Sequence, residues 1–91
     1  MGMAIEDAQM QEARRLLDQD PVSRRTLELL RRQQSAAGWA IAKTLGMNPD
    51  LVSKALENLR CSGLIEAESG SGLEGFYFLT GLAYKLMAQS A

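Results

Sequence analysis

The stretch "IAKTLGMNPDLVSKAL", residues 41–56, places two helix-like apolar patterns next to each other with only Gly46, Met47 and Asn48 between them. Gly46 can adopt the left-handed backbone conformation that ends a helix. Asn48 and Pro49 then favour a new start, because Asn caps free N–H groups and proline suits the first helical position. The sequence therefore predicts two short helices that meet at a tight corner.

Two further helices are expected before this corner. Residues 4–18 carry an apolar stripe at helical spacing, which predicts an amphipathic helix that docks on another surface. The stripe consists of Ile5, Ala8, Ala13, Leu16 and Leu17. Asp20 and Pro21 repeat the cap-and-proline signal, so a second helix is expected over Pro21–Gln33. Its expected buried positions are Val22, Leu27 and Leu30.

The corner joins helices that we predict over residues 36–45 and 49–62, although Gly38 weakens the first turn of the earlier one. Ala42 lies four residues before Gly46, and a small residue there lets two helices cross closely. The apolar positions that a shared core requires are filled by Ile41, Leu45, Met47, Val52 and Ala55. The later helix would bury Val52, Ala55, Leu56 and Leu59 and end at Gly63.

After Gly63 the apolar period changes from helical to extended. Residues 64–69 and 75–80 form strand-like runs, separated by the glycine-rich "GSGLEG" at 70–75, which predicts a hairpin with a mobile tip. Thr80 can cap a last helix with Leu82, Leu86 and Met87 on its apolar side. The expected fold is a single domain, mainly α with a small β-hairpin, in the order α-α-α-α-β-β-α.

Composition limits the function classes. The net charge is −1 and the pI about 5.3, so attraction to a polyanion requires charges sorted onto one face. With one cysteine and no histidine, the chain lacks the residues for disulfides, common zinc sites and histidine catalysis. No apolar run is long enough to span a bilayer. We therefore expect a cytoplasmic protein that is not an enzyme and needs no cofactor or metal.

From Val22 to Met87 the sequence resembles MarR- or ArsR-like transcription regulators of bacteria and archaea. The resemblance rests on "LVSKALENLRCSGLIE", similar to that family's recognition helix and wing, and on "FYFLTGLAYKLM", similar to its closing strand and helix. It implies a winged helix-turn-helix domain that binds specific sequences of double-stranded DNA as a symmetric dimer. Helix 49–62 would then lie in the major groove, and no effector ligand is implied.

The resemblance and helix geometry together give the candidate DNA-binding residues. The face opposite the buried positions presents side chains suited to base edges: amides for adenine, lysine for guanine or phosphate, leucine for the thymine methyl group. The candidates are Asn48, Asp50, Leu51, Ser53, Lys54 and Asn58, with Lys43 and Arg60 beside them. The alternative is that Asn48 only caps the helix and that Ser53 and Asn58 only solvate it.

The expected wing departs from the family pattern. It carries Glu66, Glu68 and Glu74 and no basic residue between Ile65 and Leu79, whereas phosphate contacts require positive charge. Either the wing stays clear of DNA, or the domain is a protein–protein interaction module in a larger assembly that binds no DNA. Phe76 and Phe78 alternate with Tyr77 and Leu79, so the outer face of that strand packs on helices or meets a partner.

Three further expectations concern the edges of the domain. Trp39 is expected to cover the edge of the core, with a contact to sugar-phosphate or to a dimer partner as the alternative. Cys61 is expected to be buried as a small apolar residue. Residues 21–80 form the winged helix core. The terminal helices, 1–20 and 81–91, are the expected homodimer elements, because their stripes are more apolar than a small monomer hides easily.

Overall fold

The computed structural model describes the backbone of residues 3–90 and the side chains of residues 8–88. Within that range the chain forms five α-helices and a three-stranded antiparallel sheet. The elements are α1 (Met3–Gln19), α2 (Pro21–Gln33), β1 (Ser35–Ala37), α3 (Gly38–Leu45), α4 (Pro49–Cys61), β2 (Ile65–Ser69), β3 (Phe76–Leu79) and α5 (Gly81–Ser90). A turn of 3-10 helix, Gly72–Glu74, lies between β2 and β3. The predicted mainly α fold with a small hairpin is confirmed.

Both cap-and-proline signals begin helices as predicted. The Asp20 carboxylate accepts hydrogen bonds from the Val22 N–H at 3.2 Å and from the Ser23 hydroxyl at 2.7 Å. The side-chain oxygen of Asn48 accepts one from the Asp50 N–H at 2.9 Å. Each cap satisfies backbone donors that would otherwise lack a partner in the first helical turn.

The corner between α3 and α4 has the predicted geometry. Gly46 adopts φ 63° and ψ 31°, and its N–H contacts the carbonyl groups of Ala42 and Lys43. A Cβ atom at Gly46 would meet no atom within 4 Å, so the requirement for glycine is conformational and not steric. Ala42 is buried where α3 packs against α4.

The segment before α3 corrects the sequence prediction. Residues 36–45 were expected to be helical throughout, but the helix begins at Gly38, and Ser35–Ala37 forms an edge strand paired antiparallel with β3. Gln34, with φ 70°, ends α2 and redirects the chain. The pairing satisfies backbone groups of this segment and buries Ala36 opposite Tyr77. Other predicted boundaries of the hairpin and α4 differ by one residue.

The core lies between α2, α4, the inner face of the sheet and α5. Its fully buried large side chains are Leu30, Ile41, Val52, Leu56, Leu59, Leu64, Ile65 and Leu86. Thr80 joins the sheet to α5: its hydroxyl donates to the Gly63 carbonyl at 2.6 Å and accepts from the Ala83 N–H at 3.3 Å. The predicted cap at Thr80 is therefore confirmed.

Several predicted burial assignments were wrong. Trp39 is 56% exposed instead of covering the core edge, and Cys61 is exposed. On α1, Ala8 is exposed while Met10, not assigned to the stripe, is buried. Val22 is half-buried, and the Ile5 side chain lies outside the described residues. No helix within residues 3–90 has the length and apolar character needed to cross a membrane.

Candidate nucleic-acid interface

The outer face of α4, formed by Asp50, Leu51, Lys54 and Asn58, is directed away from the core. Leu51 is 53% exposed, Asp50 and Lys54 are exposed, and Asn58 is half-buried. The inward positions, Val52, Ala55, Leu56 and Leu59, are all buried. The two sets lie on opposite sides because the helix turns about 100° per residue. The orientation of α4 predicted from the apolar period is confirmed.

Hydrogen bonding separates the polar residues of α4 into two groups. Asn48 already serves as the cap of the helix. The side chains of Ser53, Lys54 and Asn58 make no hydrogen bond or ion pair with any residue that the structure describes. These three side chains keep their donor and acceptor capacity for a molecule outside the chain.

The two flanking basic candidates lie at opposite ends of the helix pair. Lys43 is exposed in the last turn of α3, beside the corner. The Arg60 guanidinium lies 3.6 Å from the Glu57 carboxylate, and Arg60 borders a surface groove with Glu66 of β2. Lys43 therefore lies by the corner, whereas Arg60 lies next to Glu57 and shares a groove with Glu66 of the wing.

The arginines of α2 line different grooves. Arg25 and Arg32 line one with Thr44 and Leu45 at the end of α3. Arg24 and Arg31 line another, together with residues of α1 and α5. Arg31 and Arg32 also share a groove with Glu28, so the four charges spread around α2 and only Arg25 and Arg32 border α3.

The tip of the hairpin packs on the helix-turn-helix. Gly72–Glu74 forms a turn of 3-10 helix that contacts both α3 and α4. Leu73 packs against the hydrophobic core, and the Gly38 N–H donates to the Gly75 carbonyl at 2.9 Å. The tip is therefore held against the helix-turn-helix.

The two faces of β3 have different surroundings. Tyr77 and Leu79 are buried on the inner face, which packs in the core. On the outer face Phe78 is half-buried and Phe76 is 36% exposed. The exposed carboxylate side chains near this outer face are those of Glu66, Glu68 and Glu74. The wing therefore presents an acidic and partly aromatic surface.

Metal binding and titration give little further chemistry. The described residues contain no group of three or more His, Cys, Asp or Glu side chains that could hold a metal ion.

Burial raises the pKa of Tyr77 above its ordinary value of 10.0, although the charge of Arg60 acts in the opposite direction. The Tyr77 hydroxyl is therefore protonated at neutral pH and donates to the Gly72 carbonyl at 2.8 Å.

These features define a winged helix-turn-helix domain, and solved structures agree with it. Similar to this chain is the homodimeric winged helix-turn-helix DNA-binding domain (fragment 1–100) of Mb0332 from Mycobacterium bovis, a possible ArsR-family transcriptional regulator. The TM-score is 0.70 at 26% identity, covering 98% of this chain and 79% of that one. A MarR-family transcriptional regulator from Silicibacter pomeroyi gives 0.69 at 17% identity, covering 96% and 60%.

The Zalpha domain of PKZ from Carassius auratus, solved in complex with Z-DNA, has a TM-score of 0.59 at 22% identity, covering 66% of this chain and 94% of that one. No protein-family model and no curated protein matches the chain. The resemblance to ArsR- and MarR-like winged helix domains is confirmed at the level of the fold.

Two features near the interface escaped the sequence reasoning. Strand β1 places Gly38 directly beneath the hairpin tip, and the tip in turn lies against Ser53. The available signal was Gly38 itself, because a glycine inside a run of helix formers often marks a close backbone approach.

Proposed function

We propose that this chain is a DNA-binding transcriptional regulator, not an enzyme, that inserts α4 into the major groove of duplex DNA. The observation that carries the proposal is the outer face of α4, where polar side chains without internal partners project from a helix braced by α3. A braced helix with free polar side chains suits the major groove, which admits a helix and displays distinct base edges. The DNA-binding domains among the similar structures support the same role.

We assign roles to the candidate residues by their chemistry. Lys54 would contact guanine or phosphate, Asn58 an adenine edge and Leu51 a thymine methyl group. Ser53 would donate to or accept from a base, while Asn48 and Asp50 would help to hold the first turn of α4 in place. Lys43 and Arg60 would contact phosphates on either side, which fixes position but not sequence. Sequence specificity would therefore rest on α4.

We further propose that the chain acts as a homodimer through α1 and α5. These helices lie next to each other, and their half-buried apolar side chains include Leu16, Leu17, Leu82 and Met87. Tyr84 of α5 is 49% exposed. A twofold dimer would place two copies of α4 about 34 Å apart, one turn of duplex DNA. Occupying such an operator in the prokaryotic cytoplasm would block or recruit RNA polymerase.

The dimer can be tested with a matched pair of charge insertions. We expect Tyr84→Glu to convert dimers to monomers in sedimentation velocity, because a carboxylate would be buried in the interface. Trp39→Glu adds the same charge at a similarly exposed aromatic residue on α3 and should leave the dimer intact. A parent chain that sediments as a monomer at concentrations used for DNA binding would contradict the proposed dimer.

DNA binding can be tested by fluorescence anisotropy with a duplex from upstream of the chain's own gene, at about 50 and about 200 mM salt. Lys54→Ala should weaken binding and reduce the salt dependence by about one phosphate contact per subunit. Arg24→Ala, which removes the same charge from the side of α2 away from the helix-turn-helix, is the control. Equal affinity of the parent for this duplex and a shuffled one at both salt concentrations would contradict sequence-specific binding.

The acidic outer face of the wing favours a second candidate, a protein-interaction module that binds no DNA. Its distinguishing feature is the exposed Phe76 among Glu66, Glu68 and Glu74. In that case the parent binds neither duplex, and a partner that copurifies with the natively expressed chain is lost in Phe76→Ser.

A further inference from the structure

The hairpin tip, residues 70–75, packs on the helix-turn-helix through backbone contacts. A Cβ atom added to Gly38 would lie 2.7 Å from both the Gly72 carbonyl oxygen and the Leu73 Cα atom. No side chain larger than hydrogen fits between α3 and the tip at this distance. The Gly38 N–H bonds to the Gly75 carbonyl at 2.9 Å on the same side of the tip. The tip therefore lies directly against the first residue of α3.

Tyr77 fixes the other side of the tip. Its side chain is buried, and its hydroxyl donates to the Gly72 carbonyl oxygen at 2.8 Å. Its ring also lies under Gly75, where an added Cβ atom would approach the hydroxyl oxygen to 2.7 Å. Because Tyr77 belongs to β3, this hydrogen bond connects the tip to the sheet.

Ser53 of α4 is the residue that faces the tip. A Cβ atom at Gly72, which has φ 57°, would lie 3.2 Å from the Ser53 hydroxyl oxygen. The Ser53 side chain is half-buried and has no hydrogen-bond partner among the side chains and backbone that the structure describes. The Ser53 hydroxyl therefore lies beside residue 72 and has room there because that residue is a glycine.

We propose that the hairpin tip positions Ser53 for base contact, with Tyr77 as the positioning residue. This inference rests on the proposed DNA binding by α4. The hydrogen bond from Tyr77 holds Gly72 in place, and Gly72, which has no side chain, leaves the neighbouring Ser53 hydroxyl the space to bond a base. In this arrangement the acidic wing contributes to recognition by supporting α4, and it needs no basic residue to do so.

The test is a double-mutant cycle on DNA affinity with Tyr77→Phe and Ser53→Ala, measured by anisotropy on the preferred duplex. Tyr77→Phe removes the hydroxyl and keeps the ring, so we expect about a fivefold loss of affinity per subunit, the size of one hydrogen bond. In the Ser53→Ala background the same change should cost less than twofold, because the residue being positioned is gone. The control cycle, Tyr77→Phe with Lys54→Ala, should be additive.

A second variant keeps the proposal testable if Tyr77→Phe impairs folding. Gly72→Ala keeps the tyrosine but brings a methyl group toward Ser53. The positive φ strains the alanine equally in both Ser53 backgrounds, so only the part of the affinity loss that shrinks when Ser53 is alanine reports the contact. Thermal melts without DNA report the folding of every variant.

The outcomes separate the two proposals. A parent chain that binds no duplex overturns the proposed function and this inference with it. A parent that binds, with Tyr77→Phe unchanged or equally weakened in both Ser53 backgrounds, overturns the positioning role alone.

Discussion

Replacing Gly38 by alanine tests whether the hairpin tip is held against α3 as the structure indicates. The new methyl group would lie within 2.8 Å of three backbone atoms of Gly72 and Leu73. Backbone atoms cannot move aside as a flexible side chain does, so either the tip or the start of α3 must shift. The contact most directly strained is the Gly38–Gly75 hydrogen bond.

The expected loss can be worked from two opposing effects. Overpacking a close contact costs about 1–3 kcal/mol. Alanine in a helix regains about 0.5–1 kcal/mol relative to glycine. The net loss is therefore about 0–2.5 kcal/mol, with a midpoint near 1 kcal/mol, and each kcal/mol lowers the melting temperature of a domain of this size by about 4–8 °C.

The assay is urea unfolding followed by circular dichroism at one protein concentration, because dimerisation would make the midpoint concentration-dependent. Gly81→Ala is the matched control: Gly81 is also the first residue of its helix, and an added Cβ atom would meet nothing within 4 Å. The control should be neutral or stabilised by up to about 1 kcal/mol. If Gly38→Ala unfolds at the same urea concentration as the control, the tip does not pack on α3.

Two further predictions concern stability. Asp20→Ala should lower the free energy of unfolding by about 1–3 kcal/mol in urea titrations, because it removes the α2 cap and leaves the buried Ser23 hydroxyl without its acceptor; a loss below about 0.5 kcal/mol would contradict this. Stability should also fall as the pH rises above about 10, since the folded-state pKa of Tyr77 is raised and folding keeps its neutral form. Thermal melts between about pH 8 and pH 11 should show a steeper decline for the parent than for Tyr77→Phe, and identical slopes would refute the assignment.

Local signals explain which parts of the fold were predictable. Gly46 and Asn48 bond only to groups within four residues of themselves, so the corner could be predicted from sequence. Strand β1 could not, because Ala36 becomes a strand residue only by pairing with Tyr77, about forty positions along the chain. Local helix propensity of Ser, Ala and Ala gives no sign of that partner.

The same distinction applies to the candidate site. The outward direction of Leu51 and Lys54 follows from helical periodicity alone, and the structure agrees. The contact between Ser53 and the hairpin tip depends on tertiary packing and on a glycine at position 72. Sequence reasoning consequently identified the residues of α4 but not the support on which one of them depends.

The two edges of α4 are held differently, and this difference reconciles the acidic wing with a DNA-binding role. At about 100° per residue, Leu51, Lys54 and Asn58 lie along the other edge of the helix from Ser53, the residue beside the hairpin tip. Ser53 and Arg60 are seven positions apart, about two helical turns, and share the edge that the hairpin borders. A wing that packs along one edge of α4 stabilises the position of that helix without approaching phosphate. Negative charge on such a wing therefore reduces DNA affinity only slightly. The positive charges assigned to DNA binding are then Lys54 on the open edge, Lys43 at the corner and Arg60 at the end of the helix.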